Sequence, residues 1–426
     1  MRRFLSIVLS VIMMFSMSIC ANAEDVPEIM LKKTLEEQIN GSTIKQEKPY
    51  VEMKYNLEIV SKEDWGNTSV GEYPIDVLSE KWSTLSYSEA AAACDMPIEY
   101  AETLTTNELV KYALNYPFLL DILGYDSIID GMNHLINKSG AFKELFSRKD
   151  CYDKLLEEYL KLNIDYREVA KTYDMCTTNY DVELFIEAYL GLNFDLLSQE
   201  QIEKLISEYE NKFLNRNSIC QKSALSMIFY GAIKEKSGIV PEKAVPKSVR
   251  SYLNPDELGG ILDSIEAGIC KQCGASLLFK TIKVNGKNVQ CYSWLAGGFT
   301  SADITYIDNY VASAHPTFTK LASASSKYNC HSYAWYSTSS SNNYWIEDPS
   351  PIYGNTNYWT LWTNGMRQIK SGDRITFWSG QDLLHSARVT SSVRCTSKIG
   401  HWGVYNTSIS EMVSYYGAST TKAYIP

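Results

Sequence analysis

From about Ser83 to Ser237 the apolar residues of this chain recur at helical spacing, and that long stretch limits the fold more than any other feature. Thr105 or Thr106 can cap a helix that runs through Glu108, Leu109 and Val110, and Pro117 ends or restarts it. Leu119, Leu120, Ile122, Leu123, Ile128 and Ile129 continue an apolar face. Phe142, Leu145 and Phe146 follow, then Leu155, Leu156, Tyr159 and Leu160. Val182, Phe185, Ile186 and Leu190 form another stripe, and Ile202, Leu205, Ile206 and Tyr209 a further one. Short loops between such helices predict an antiparallel or orthogonal bundle. The stretch holds one histidine, His134, and no Cys/His metal spacing, so it reads as a packed module without chemistry of its own.

The pattern then changes. Lys234 to Pro255 is linker-like, with Pro241, Pro246 and Pro255 among charges. Leu278 to Val284, Asn285-Gly286 and Lys287 to Trp294 read as a hairpin, because both turn residues tolerate positive φ. Thr300 or Ser301 caps a helix with Ile304, Ile307 and Val311 on one face, stopped near Pro316. Short β-prone runs follow at 374–378, 385–389 and 403–405. Seven of the nine tryptophans and four of the five histidines fall after residue 290. Such aromatic density suits stacking on sugars or peptides, and cores use it equally. The expected class is α+β, with an α-helical domain over 81–237, a linker over 238–260 and a second domain over 261–426. Within the second, a hairpin and helix occupy 275–316 and a catalytic core 325–426.

The N-terminus has the form of a secretory signal peptide. Arg2 and Arg3 precede an apolar run from Phe4 to Ile19, and Ala21-Asn22-Ala23 makes a small-x-small cleavage site before Glu24. Bulky Ile19 before Cys20 argues against lipidation. Residues 1–23 are therefore expected as a leader and 24–80 as an extended lead-in. A secreted protein, free or wall-associated and without a transmembrane segment when mature, is the expectation, most simply as a monomer. A net charge of −10, with no basic stripe, excludes a nucleic-acid partner. From Thr317 onward nine Lys+Arg face five Asp+Glu, so the excess acid lies upstream. Without Cys20 nine cysteines remain, an odd number, so at least one thiol is unpaired or intermolecular. Cys94, Cys151, Cys176, Cys220, Cys270, Cys273, Cys291 and Cys395 are candidates for pairing. Cys270-x-x-Cys273 lacks the second pair of a zinc ribbon and the βαβ context of a redox site, which favours a structural disulfide, with nearby Cys291 a candidate partner.

Chemistry concentrates at Tyr328-Asn329-Cys330-His331, where a cysteine follows a small polar residue at the apparent start of an aromatic helix. Free N–H groups and the dipole of a helix N-terminus favour a thiolate. A nucleophilic cysteine also needs a histidine to take its proton. His331 is adjacent, so on a helix it points about 100° away from Cys330 and reads as structural. His315 sits at a helix end before a proline, a capping or solvated position. His385 opens a strand whose alternation puts it with Ala387 and Val389, and elimination favours it as the base. The Asn329 backbone and the Cys330 N–H can contribute to an oxyanion hole. No His/Asp/Glu cluster has ligand spacing, so neither a metal nor another cofactor is expected.

These residues resemble the nucleophile-helix motif of secreted NlpC-type, papain-like amidases, in which a Cys-bearing helix packs on a small antiparallel sheet. Asp348-Pro349-Ser350, Ser371-Gly372-Asp373-Arg374, His385-Ser386 and Ser397-Lys398-Ile399-Gly400 follow in family order. Tyr116-Pro117-Phe118-Leu119-Leu120-Asp121-Ile122 is similar to the helical module often joined to that domain in Gram-positive bacteria. The resemblance implies Cys330 as nucleophile and His385 as base, with Tyr328 and Asn329 supporting. For the orienting third residue Ser397 occupies the matching place and His401 competes; Ile399 stands where the family has tryptophan. Trp335, Trp345, Tyr353 and Trp378 are the expected substrate groove. The implied activity is hydrolysis of an amide bond in peptidoglycan stem peptides or cross-bridges. A catalytically degenerate wall-binding protein, or an acyltransferase or deamidase on the same core, are the alternatives.

Overall fold

The computed structural model describes residues 62–126, 128–164, 179–193, 196–215, 276–296, 299, 301–346, 348–363 and 366–426. The expected leader, the lead-in to residue 61, the linker at 238–260, Thr300, and Cys20, Cys176, Cys220, Cys270 and Cys273 lie outside the described residues.

Helices dominate the first part: α1 Lys62–Gly66, α2 Glu80–Thr84, α3 Tyr87–Ala93, α4 Ile98–Ala101, α5 Thr106–Leu114, α6 Ile128–Lys138, α7 Gly140–Ser147, α8 Cys151–Lys161, α9 Asn179–Leu192 and α10 Gln199–Asn215. Local chemistry sets several of their starts. Ser86 with Glu89, and Thr105 with Glu108, form reciprocal capping boxes at α3 and α5. A 3₁₀ turn, Leu119–Gly124, follows Pro117 and links α5 to α6.

The second part begins with β1 Ser276–Val284 and β2 Lys287–Ala296. Their turn pairs Val284 with Lys287, and Asn285 and Gly286 take φ of 50° and 77°. Then come α11 Ser301–Ala314, β3 Thr319–Ala322, α12 Cys330–Trp335, β4 Trp345–Ile346, α13 Ser350–Tyr353 and β5 Thr360–Leu361. The chain closes with β6 Arg374–Ser379, β7 Asp382–Val389, β8 Arg394–Lys398, β9 Val404–Ser408, α14 Ile409–Tyr416 and β10 Thr420–Ile425. One sheet has the order β1-β2-β4 and the other β3-β9-β8-β7-β6-β10-β5, and the pairings are antiparallel. The chain is thus α+β, and no described helix is long and apolar enough to cross a membrane.

Helices and large sheet share one core. A continuous buried cluster runs from Trp65 in α1 through Leu109, Phe142 and Phe185 to Phe377, Ala387, Val389 and Tyr416. Trp82 Nε1 donates to Ser313 O at 2.9 Å, and Tyr125 Oη to Tyr415 O at 2.8 Å. His315, expected at a capping or solvated position, is instead buried in this seam. Its Nε2 lies 2.8 Å from Asp121 Oδ1, which also accepts from Tyr310 Oη at 2.7 Å. The reason is physical: a buried carboxylate needs hydrogen bonds, and His315 and Tyr310 both supply them to its Oδ1. Close backbone approach completes the seam. Gly400, at φ +41°, packs so tightly that a Cβ would lie 2.5 Å from Leu123 O.

The five described cysteines Cys94, Cys151, Cys291, Cys330 and Cys395 are buried free thiols. Cys291, a suggested partner for the 270–273 pair, is held in the middle strand of the small sheet with its Sγ 3.5 Å from Lys280 O, among Val284, Val289 and Ile346.

Candidate active site

Cys330 is the first residue of α12, and Asn329 caps that helix. The capping amide is used completely. Its Oδ1 accepts from the N–H of Ser332 at 3.1 Å and of Ile346 at 3.2 Å. Its Nδ2 donates to Ile346 O at 2.7 Å and to Asp126 Oδ2 at 2.9 Å. One side chain therefore fixes the helix start, the β4 edge and a carboxylate from the loop before α6.

That carboxylate also touches the thiol. Cys330 Sγ donates to Asp126 Oδ2 at 3.4 Å, while the backbone N–H groups of Ser386 and His331 point at the sulfur. Burial holds the thiol's pKa well above its usual value, the Asp126 charge adds to this, and the two N–H groups oppose it. Burial likewise pushes the Asp126 carboxyl up to about 6, against the hydrogen bonds from Asn329 and Cys330. At neutral pH the thiol is protonated and rests on a carboxylate.

The side chain of Ser386 faces α12. Its Oγ lies 2.9 Å from His331 Nδ1 and 2.9 Å from Trp335 Nε1. His331 Nε2 is 3.8 Å from Asp126 Oδ2. The helical-wheel expectation that His331 points away from the cysteine does not hold, because in a first turn both side chains converge on a group arriving from outside the helix. His331 is neutral, its pKa brought down to about 4 by burial.

His385, expected as the base, has its ring on Tyr416, stacked at 4.2 Å, with Phe377 at 5.7 Å. Its Nε2 is buried and finds no hydrogen-bond partner among the described residues. Burial, and then His331, lower its pKa well below the usual value. Its link to Cys330 is indirect, through the N–H of neighbouring Ser386. Alternation in β8 separates Ser397 from Lys398. Ser397 Oγ is buried without a hydrogen-bond partner among the described residues. Lys398 Nζ bonds Ser325 O at 2.7 Å and Gly400 O at 2.6 Å, and sits 5.6 Å from the centre of the Tyr328 ring. Burial lowers Lys398 to about 7, with Asp126 and Cys330 pulling the other way. His401 stands beyond Lys398, its ring 5.1 Å from that of Trp345, and burial with the Lys398 charge lowers it to about 3.

The four expected groove aromatics do not share one surface. Trp335 is packed against Tyr353 at 5.5 Å and Tyr424 at 5.4 Å, and Tyr353 reaches Trp378 at 6.4 Å. Trp345 is buried beside His401, and Trp378 Nε1 donates to Thr376 Oγ1 at 2.7 Å. The groups around the thiol that sequence reasoning missed are Asp126 and the Ser386 N–H on the sulfur, the Ser386 hydroxyl on His331, and the nearby charge of Lys398. Ser386 and Lys398 stand inside the quoted motifs, but Asp126 is 204 residues before Cys330 and no spacing rule reaches it. Compared with known protein families, curated proteins and solved structures, the chain matches none.

Proposed function

We propose that this protein is a cysteine hydrolase of the NlpC-type, papain-like kind that cleaves amide bonds, with Cys330 as nucleophile. The observation that carries the reading is a cysteine at a fully capped helix start whose sulfur receives two backbone N–H groups. Such donors stabilise a thiolate once its proton has gone. In this reading His385 takes that proton, its buried Nε2 having no hydrogen-bond partner among the described residues. Sulfur attacks the substrate carbonyl, the amine leaves with a proton from the imidazolium, and water releases the acyl group. The N-terminal leader pattern makes a secreted protein acting on peptidoglycan stem peptides or cross-bridges the substrate reading.

A specific observation favours a second assignment of the base: His331, not His385, has the described approach to the carboxylate at the thiol. Purified mature protein is assayed for amine release from several cell walls, with Cys330→Ala, His385→Ala and His331→Ala alongside. Loss of turnover by at least about 100-fold in Cys330→Ala and His385→Ala, within the usual range for removing an acid–base group, supports the first assignment. Loss in His331→Ala with His385→Ala active transfers the role to His331. No amine release from any wall, with Cys330 alkylated no faster than a free thiol, removes the hydrolase reading in favour of a degenerate binding protein.

A further inference from the structure

We infer that Asp126, Cys330 and His331 form a binding site for a thiophilic divalent cation such as Zn²⁺, which holds the nucleophile in a blocked state. The binding site stands on geometry alone; the blocking rests on the hydrolase reading above.

One ligand atom from each of Asp126, Cys330 and His331 lies within 4.8 Å of the other two, and both Cys330 Sγ and His331 Nε2 approach Asp126 Oδ2. A tetrahedral zinc holds S, N and O ligands at about 2.0–2.3 Å, which places them roughly 3.3–3.6 Å apart. The S–O separation here is 3.4 Å and the N–O separation 3.8 Å, with sulfur and imidazole nitrogen within 4.8 Å, so closing on an ion takes shifts of at most about 1.5 Å. Carboxylate, imidazole and thiolate are a ligand set that zinc accepts, and three protein ligands leave a fourth position for water.

The groups behind the ligands are also in place. A ligating histidine needs its other ring nitrogen engaged, which fixes the ring's orientation. His331 Nδ1 meets Ser386 Oγ at 2.9 Å, and Trp335 Nε1 fixes that hydroxyl from the other side at 2.9 Å. Asn329 Nδ2 does the same for the carboxylate. The neighbouring cation, Lys398, has its Nζ tied to the carbonyls of Ser325 and Gly400. Charge balances as well: one thiolate and one carboxylate neutralise a dication. Binding breaks the S–H bond, forms a sulfur–metal bond and releases that proton to solvent. The side chains of Cys330 and His331 are buried and that of Asp126 is 24% exposed, so the carboxylate marks the entry.

The test uses full-length mature protein, freed of metal by chelation and titrated with Zn²⁺ by calorimetry and with Co²⁺ by absorption. Wild type is expected to take up one equivalent that Cys330→Ser lacks, with a thiolate-to-cobalt charge-transfer band. Asp126→Asn and His331→Asn keep the thiol and should weaken that equivalent by at least about tenfold, the effect expected even for groups behind the ligands. Circular dichroism and melting establish that each variant is folded. Absence of a Cys330-dependent equivalent, or folded Asp126→Asn and His331→Asn variants binding as tightly as wild type, overturns the site. The activity arm is separate. Stoichiometric Zn²⁺ that leaves amine release unchanged overturns the blocking role. Metal uptake in a protein that hydrolyses nothing, with or without chelator, keeps the site and removes the hydrolase reading instead.

Discussion

Asp126 sets the resting state of the thiol, and its removal separates charge from shape. Its carboxylate lies on the Cys330 sulfur and is the second cause, after burial, of the raised thiol pKa. Asp126→Asn keeps the volume and deletes the charge, so the thiol's pKa falls. Each unit of pKa is tenfold in thiolate fraction below the pKa. The alkylation rate of Cys330 with iodoacetamide at pH 7 should therefore rise several-fold, read against a Cys330→Ser background that accounts for the other thiols. A rate equal to or below wild type would mean that Asp126 does not suppress the thiolate. The same side chain explains why the site was only half legible. Cys330 and its cap could be read from adjacent residues, because helix starts are local chemistry. Asp126 could not, because its place is fixed by packing between segments far apart in sequence.

Elements show the same division between local and non-local information. The hairpin β1–β2 is legible because Asn285-Gly286 accepts positive φ at both turn positions, and α11 because Ser301 opens a run of apolar residues at helical spacing. His315 was not legible: a histidine before a proline looks solvated until Asp121 arrives from the 3₁₀ turn. The orientation of β7 was half legible, since alternation distinguishes His385 from Ser386 without saying which one faces α12. The contact that delivers Asp126 depends on glycines. His401 N donates to Leu123 O at 2.9 Å; Gly400 lets the 3₁₀ turn and the β8–β9 turn touch through their backbones, and Gly124 leaves room for the Tyr415 hydroxyl and the Trp402 ring. A Cβ on Gly400 would lie 2.5 Å from both Leu123 O and Gly124 C, and φ of +41° disfavours any side chain there. Gly400→Ala should cost about 1–3 kcal/mol, in the range for strain at such positions. It should also lift Asp126 from the thiol and raise Cys330 alkylation. Unchanged chemical denaturation midpoints and unchanged alkylation would show that the two turns do not support each other.

For the molecule as a whole, one shared core means that histidines distributed across it titrate against global stability. His134, His331, His385 and His401 all have their pKa lowered by burial, to about 4 for His331 and about 3 for His401. Between those values and the ordinary 6.5 the unfolded chain binds more protons than the folded one, so stability rises with pH across that window. Asp126 works in the opposite sense. With its carboxyl raised from 3.8 to about 6, the folded chain holds the extra proton in that interval, and its contribution falls as pH rises. Lys398, lowered to about 7 from 10.5, again favours the fold as pH increases, now above neutrality. Four buried imidazoles act against the two raised carboxyls, Asp126 and Asp95, so the melting temperature should fall by several degrees between pH 7 and pH 5. Above pH 7 the raised thiols of Cys94, Cys151, Cys291, Cys330 and Cys395 oppose Lys398. His401→Gln provides the control. It loses the ring contact with Trp345 and melts lower at pH 7, but its loss on acidification should be smaller than that of wild type. Asp373, whose carboxyl is held below its usual 3.8 by Arg367 against the cost of burial, acts only at lower pH and leaves this window clear. An acid limb equally steep in His401→Gln, or a wild-type melting temperature higher at pH 5 than at pH 7, would show that carboxylates rather than the buried imidazoles govern the pH response.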